Sequence, residues 1–114
     1  MKLQVQHTVL GIHYWEGCDN PEVHFLKNPH HHDFTFYVET EVTNEDREIE
    51  FLSLRIELMK LIDRRYPGKY IKNFNNRSCE TISKEIGGLL SVIYYGRDFK
   101  VSVSEDKISK AGEW

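Results

Sequence analysis

The sequence predicts an α+β fold in which two helices pack on one face of an antiparallel sheet. Three observations carry that reading. Apolar side chains recur at every second position in 32–42 (HDFTFYVETEV), they recur at helical spacing from Phe51 to Arg64, and Ser78 opens a second segment with helical spacing.

From the N-terminal end, 2–14 (KLQVQHTVLGIHY) is rich in Val, Ile, Leu and Thr and reads as a strand whose alternation breaks at Gly11. The break suits a bulge or a close backbone approach at the glycine. Residues 15–30 carry Gly17, Asp19, Asn20, Pro21, Asn28 and Pro29 and read as a long loop, of a length more often functional than decorative. In 32–42, Phe34, Phe36 and Val38 fall on one side, and Thr35, Tyr37 and Glu39 on the other. TNED (43–46) reads as a turn and REIEF (47–51) as a returning strand.

The period then changes. Phe51, Leu54, Leu58 and Leu61 form a helical stripe, widened by Leu52, Ile56, Met59 and Ile62 and ended by Pro67–Gly68. Ser78 is a good N-cap for a second helix, and Glu80 in its first turn complements the helix dipole. That helix has the stripe Cys79, Ile82, Ile86 and Leu89, with Gly87–Gly88 loosening its end. SVIYY (91–95) and FKVSVSE (99–105) read as strands around a turn at Gly96–Asp98, and the tail SKAGEW offers one more. The expected order is β-β-β-α-α-β-β, without an internal repeat.

At 114 residues the chain is expected to form one domain, 1–114, long enough for a modest core but short for a deep private cleft. Its hydrophobic and charged fractions, 39% and 29%, are those of a globular protein and exclude wholesale disorder. No apolar run approaches the roughly 18–20 residues of a membrane span, and MKLQVQHTVLG lacks the apolar core of a signal peptide. With two cysteines, Cys18 and Cys79, and no sign of secretion, a cytoplasmic protein with reduced thiols is expected. The net charge of −3 speaks against a dedicated nucleic-acid binder. The charge is uneven: seven acids face two arginines from Glu39 to Glu57, and six basic residues face only Asp63 from Lys60 to Arg77. Two solvated faces explain this. Complementary faces of neighbouring subunits, or a basic stretch that attracts phosphate, are the sharper alternatives.

His30, His31 and His32 precede the alternating strand. Side chains two apart on a strand share a face, with α-carbons about 6.5–7 Å apart, so His30 and His32 can converge on one ion while His31 points away. Three imidazoles around zinc leave a fourth position for water or ligand. The third is His13, at the end of the first strand, provided the long loop returns the second strand beside it. The same His-x-His pair also fits a solvated strand start with rings bonded to the backbone. His7 and His24 have no spacing partner and read as structural or surface residues.

VLGIHYW (9–15), NPHHHDFTFYVETEV (28–42), SCETISKEI (78–86) and FKVSVSED (99–106) together resemble, in order and approximate spacing, the pyruvoyl-tetrahydropterin and carboxytetrahydropterin synthase family. The resemblance covers most of the chain. It implies a T-fold, with subunits joining sheet edges into a ring-shaped barrel and sites between neighbours. It implies His13, His30 and His32 as zinc ligands and Glu105 as the anchor of a heterocycle, with Ser78 and Cys79 in the cap that contacts the same ring. A carboxylate offers two acceptor oxygens to the paired N–H donors of a pterin or guanine edge; the alternative for Glu105 is a solvated strand-end acid.

The departures bear on function. The family places a cysteine shortly before its His-x-His, where this chain has HFLKNP, and Cys18 lies farther back on the loop. The family's Asp-His pair between the helices has no counterpart in YPGKYIKNFNNR (66–77). General acid–base chemistry needs a positioned group of suitable pKa, so loss of synthase chemistry is expected. Glu50 and Tyr70 are conceivable substitutes. NPHHHDF, TNEDREIEF and SCETISKEI also look like small relatives encoded by bacteria and their viruses. The expected function is binding, by sequestration, of a purine- or pterin-like molecule such as a nucleotide signal. The alternatives are a zinc lyase acting on dihydroneopterin triphosphate with Cys18 as proton carrier, or zinc-assisted nucleotide hydrolysis.

Overall fold

The computed structural model describes residues 1–114. Five strands, β1 (Lys2–His13), β2 (His30–Glu41), β3 (Lys72–Asn75), β4 (Lys100–Glu105) and β5 (Ser109–Gly112), form one sheet in the order β3-β1-β2-β4-β5. Neighbours are antiparallel except β1 and β3, which run parallel. Two helices, α1 (Phe51–Arg65) and α2 (Cys79–Ile93), pack on the sheet, and a short 3-10 helix (Pro21–Lys27) lies within the β1–β2 loop. The α+β class, the long β1 and β2, and the helix-covered sheet agree with expectation.

The register of β1 on β2 runs unbroken from Lys2↔Glu41 to His13↔His30. One face of the sheet therefore carries Val5 opposite Val38, His7 opposite Phe36, Val9 opposite Phe34, Gly11 opposite His32 and His13 opposite His30. Val101, Val103 and Glu105 continue that face on β4. Phe34, Phe36, Val38 and Val103 are fully buried on it, under Leu54, Leu58 and Ile62 of α1 and Ile82, Ile86 and Leu90 of α2. Burying side chains of this size is worth about 1.5–3 kcal/mol each before entropy is subtracted. The alternation that buries the phenylalanines thus also sets His32 and His30 on the core face, one and two alternations before Phe34.

Gly11 makes this possible. A Cβ there would stand 2.5 Å from the Phe74 ring and 2.6 Å from the Phe34 ring. The close approach is by two aromatic rings, which lie over the glycine beneath the histidines.

Three expectations fail. Residues 47–51 are not a strand: Arg47 has a left-handed φ of 54°, and Glu50 caps α1 by accepting from Leu52 N and Ser53 N. Residues 91–95 are not a strand either, because α2 runs through Gly87–Gly88 to Ile93 and buries Leu90, one full turn on from Ile86. The sheet gains β3, a four-residue strand inside the expected connection between the helices. Its one buried apolar side chain, Phe74, gives no periodic signal, and the pairing of Gly11 with Lys72 makes the sheet mixed. The order is β-β-α-β-α-β-β.

Candidate metal centre

His13 leaves the end of β1, and His30 and His32 open β2, so the site sits where helix cover gives way to the loops. The three rings are edge-to-face, with centroids 4.6 Å (His13–His30), 5.1 Å (His30–His32) and 5.5 Å (His13–His32) apart. One potential ligand atom from each lies within 4.8 Å of the others. On a four-coordinate ion with bonds of about 2.0–2.1 Å the nitrogens stand roughly 3.3 Å apart, so the rings would have to turn to close on one ion.

Each ring is aimed through its Nδ1. His13 Nδ1 donates to the Arg77 carbonyl (2.9 Å), His30 Nδ1 to the Asn28 carbonyl (2.8 Å) and His32 Nδ1 to Asp106 Oδ2 (2.7 Å). Carbonyls and carboxylates only accept, so the Nδ1 atoms carry protons and the Nε2 lone pairs are left for the site, the usual arrangement around histidine-bound metals. His32 Nε2 is buried and makes no hydrogen bond. An unsatisfied buried nitrogen facing two further imidazoles is what a cation would resolve. The donor set fits zinc or another nitrogen-binding divalent metal.

Glu105 closes the group from β4. Its Oε1 is 3.2 Å from His13 Nε2 and its Oε2 is 3.4 Å from His32 Nε2, while the Cys79 thiol donates to Oε1 at 3.5 Å. When His13 is protonated on both nitrogens, the hydrogen bond from its Nε2 holds the Glu105 carboxyl below its ordinary pKa against the opposing effect of burial; in the neutral ring the Nε2 lone pair faces the site instead. Burial lowers the His13 pKa, but Glu105 and the Arg77 carbonyl outweigh it and the net shift is upward. Burial, with Glu105 beside it, pushes the Cys79 thiol far up, so it stays protonated and is no nucleophile near neutral pH.

A cavity of about 680 Å³ opens beside the histidines. His13, His30 and Glu105 line it from the sheet, Tyr14, Trp15 and Leu26 from the loop, Ser78 to Thr81 from the start of α2, and Ser109 to Ala111 from β5. Ser78 caps α2 by accepting from Thr81 N at 3.1 Å. The loop wall is fixed by the Trp15 N to Leu26 carbonyl bond, 2.7 Å.

The remaining expected residues lie elsewhere. His31 is exposed, on the opposite face of β2 from His30 and His32. His24 is exposed on the 3-10 helix, and His7 packs near Arg55, with burial and that charge lowering its pKa. Cys18 is fully buried, its thiol directed at the Val23 carbonyl, and does not line the cavity. Glu50 is the α1 cap, Tyr70 is exposed, and neither borders the cavity. Of the basic stretch 60–77, only Arg77 does so, with its guanidinium paired to Glu85 at 3.1 Å.

No family model matches the chain, and no curated protein matches it in sequence. Solved structures do match. An uncharacterized protein from Wolinella succinogenes superposes with a TM-score of 0.69 at 11% identity, covering 100% of this chain and 97% of that one. The 6-pyruvoyl tetrahydropterin synthase of Plasmodium vivax gives 0.61 at 13% identity over 98% and 95% of the two chains. That of Plasmodium falciparum gives 0.58 at 15% over 97% and 94%. The chain has the T-fold of these synthases. At such identities the likeness is one of fold. Two further matching Plasmodium vivax structures are variants in which a catalytic glutamate is replaced by cysteine or alanine.

Of the residues named from the sequence, His13, His30, His32 and Glu105 lie together and Ser78 and Cys79 line the cavity; Asp106 and the carbonyls of Asn28 and Arg77, which bond the rings, and Trp15, which walls the cavity, were not among them. The two backbone carbonyls leave no trace in side-chain identity. Asp106 had one available signal, its place directly after Glu105 at a strand end.

Proposed function

We propose that this T-fold protein binds a purine- or pterin-like ligand beside a metal held by His13, His30 and His32, and that it has lost the synthase reaction. The observation that carries the reading is the adjacency of Glu105 to both the histidines and the open cavity. A cavity of about 680 Å³ is of the size that holds small ligands, in a range of roughly 300–1,000 Å³. Trp15 offers a half-exposed aromatic face for a flat ring. Glu105 would accept from the amino-pyrimidine edge, and Ser78 and Cys79 would border the same ring at the start of α2. A bound zinc ion would supply Lewis acidity to a ligand oxygen.

Binding is favoured over turnover by what surrounds the cavity. Cys18 is packed away from it, Cys79 is held protonated, and the connection 66–77 supplies neither Asp nor His. The Plasmodium vivax synthase has a catalytic glutamate, but the loop carboxylates of this chain, Glu16 and Glu22, are exposed and do not border the cavity, which leaves the lyase as the weaker reading. The outer strands β3 and β5 leave an unpaired edge at each side of the sheet, and pairing between copies into a ring would cover them.

Calorimetric titration of the zinc-loaded protein against pterins, guanine and guanine nucleotides tests the reading, with Trp15 fluorescence as a second signal. Tight binding of one class, with the ligand recovered unchanged, supports it. Release of triphosphate from dihydroneopterin triphosphate, or no binding across the panel, contradicts it.

A further inference from the structure

We propose that Asp106 is the positioning residue of the metal site, fixing the proton of His32 on Nδ1 and aiming its Nε2 at the ion. The inference rests on the metal-site reading above and adds a residue to it.

The argument begins with the backbone. Asp106 follows β4 directly and adopts a left-handed φ of 54°, as does Lys107 at 57°. Aspartate is among the few residues other than glycine that enter this region without large cost. The conformation lets Asp106 clasp Asp33 twice: its N–H donates to the Asp33 carbonyl (2.8 Å), and its Oδ1 accepts from the Asp33 N–H (2.8 Å). The second oxygen, Oδ2, then meets His32 Nδ1 at 2.7 Å, a length typical of a charge-assisted bond. The turn is locked to the residue next to His32, so the carboxylate cannot swing away without breaking the clasp.

Both partners of the carboxylate are donors. The Asp33 N–H has no alternative, so Oδ1 must accept, and Oδ2 is left to accept from His32. Only an acceptor-only group satisfies both. Asparagine has the same shape but one acceptor. With its oxygen on Asp33, its NH2 faces His32 Nδ1 and drives the imidazole proton to Nε2, where it blocks a metal. With its oxygen on His32, two N–H donors oppose each other at Asp33. The bond also accounts for His32 Nε2 being buried yet unsatisfied: the ring is held in place from the far side.

The hydrogen-bonded carboxylate also raises the donor strength of the imidazole, and removing such partners typically weakens metal binding about 10- to 100-fold. The β4–β5 turn thus carries two adjacent acids with different tasks. Glu105 faces the metal and cavity side of the histidines, and Asp106 holds one histidine from behind.

The test compares wild type with D106N and D106A by zinc titration against a chromophoric chelator and by long-range proton–nitrogen spectra of the histidine rings. The metal-free melting temperature separates loss of the turn from loss of the ligand. Zinc affinity should fall about 10- to 100-fold in D106N, and the His32 proton should leave Nδ1. Wild-type affinity in D106N, or a metal-free wild type in which neutral His32 carries its proton on Nε2, overturns the proposal. A wild type that takes no zinc overturns the metal-site reading, and the proposal with it, even where His32 keeps its proton on Nδ1; loss of the Nδ1 proton in a zinc-binding wild type overturns the proposal alone.

Discussion

His13 Nε2 lies 3.2 Å from Glu105 Oε1, joining the last residue of β1 to the last residue of β4 across the intervening β2. The contact spans three strands of one sheet face, and its two ends answer to different chemistry. In the proposed function the imidazole would be a metal ligand and the carboxylate would accept from the heterocycle.

His13→Ala and Glu105→Gln should therefore separate. His13→Ala removes a ligand and should lose stoichiometric zinc in elemental analysis while the domain stays folded by circular dichroism. Glu105→Gln should retain zinc and weaken the heterocycle by about 1.5–3 kcal/mol, roughly 10- to 150-fold, since a charged acceptor is lost. Equal loss of metal and ligand in both variants would show that the carboxylate serves only the metal.

Phe34 supports the histidines. Its ring is fully buried, edge-on to His13 at 5.0 Å and tilted against Phe74 at 4.7 Å. Phe34→Ala should cost about 3–5 kcal/mol in denaturant unfolding. Gly11→Ala should cost about 1–3 kcal/mol, because its methyl would press on the same two rings. Both should also weaken zinc binding; a stability loss with unchanged affinity would separate the aromatic layer from the site.

Glu48 sets a pH dependence. Arg97 at 2.7 Å, with the N–H groups of Thr43 and Asn44, holds its pKa down at about 2. A depressed folded-state pKa stabilises above the unfolded value near 4.5 and loses that contribution as pH falls toward about 2. Glu48→Gln should melt below wild type at neutral pH, and the gap should close between about pH 4.5 and 2. A gap independent of pH would assign the effect to packing.

Much of this was legible in the sequence, for a physical reason. Period-two alternation in β2 fixes which face His30 and His32 share, and the buried phenylalanines fix that face as the core side. The failures arise where local chemistry overrides pattern. Acids at 48 and 50 turn back onto nearby backbone N–H groups and replace a strand with a turn and a cap. Around Gly87–Gly88 the stripe Ile82, Ile86 and Leu90 keeps α2 intact against the sheet. β3 carries a buried lysine, Lys72, held by Asp63 at 2.8 Å and the Gly68 carbonyl at 2.6 Å, a strand no hydrophobic period announces. Asp106 carries no pattern signal because its contacts to His32 and Asp33 depend on a left-handed turn.

The central claim is that imidazoles from β1 and β2 share one metal ion. Zinc-edge X-ray absorption on the loaded protein, compared with His13→Ala and His32→Ala, tests it most directly. The account predicts a nitrogen shell at about 2.0–2.1 Å with imidazole outer-shell scattering that diminishes in each variant. A sulfur shell at about 2.3 Å, or a spectrum untouched by either substitution, would contradict it.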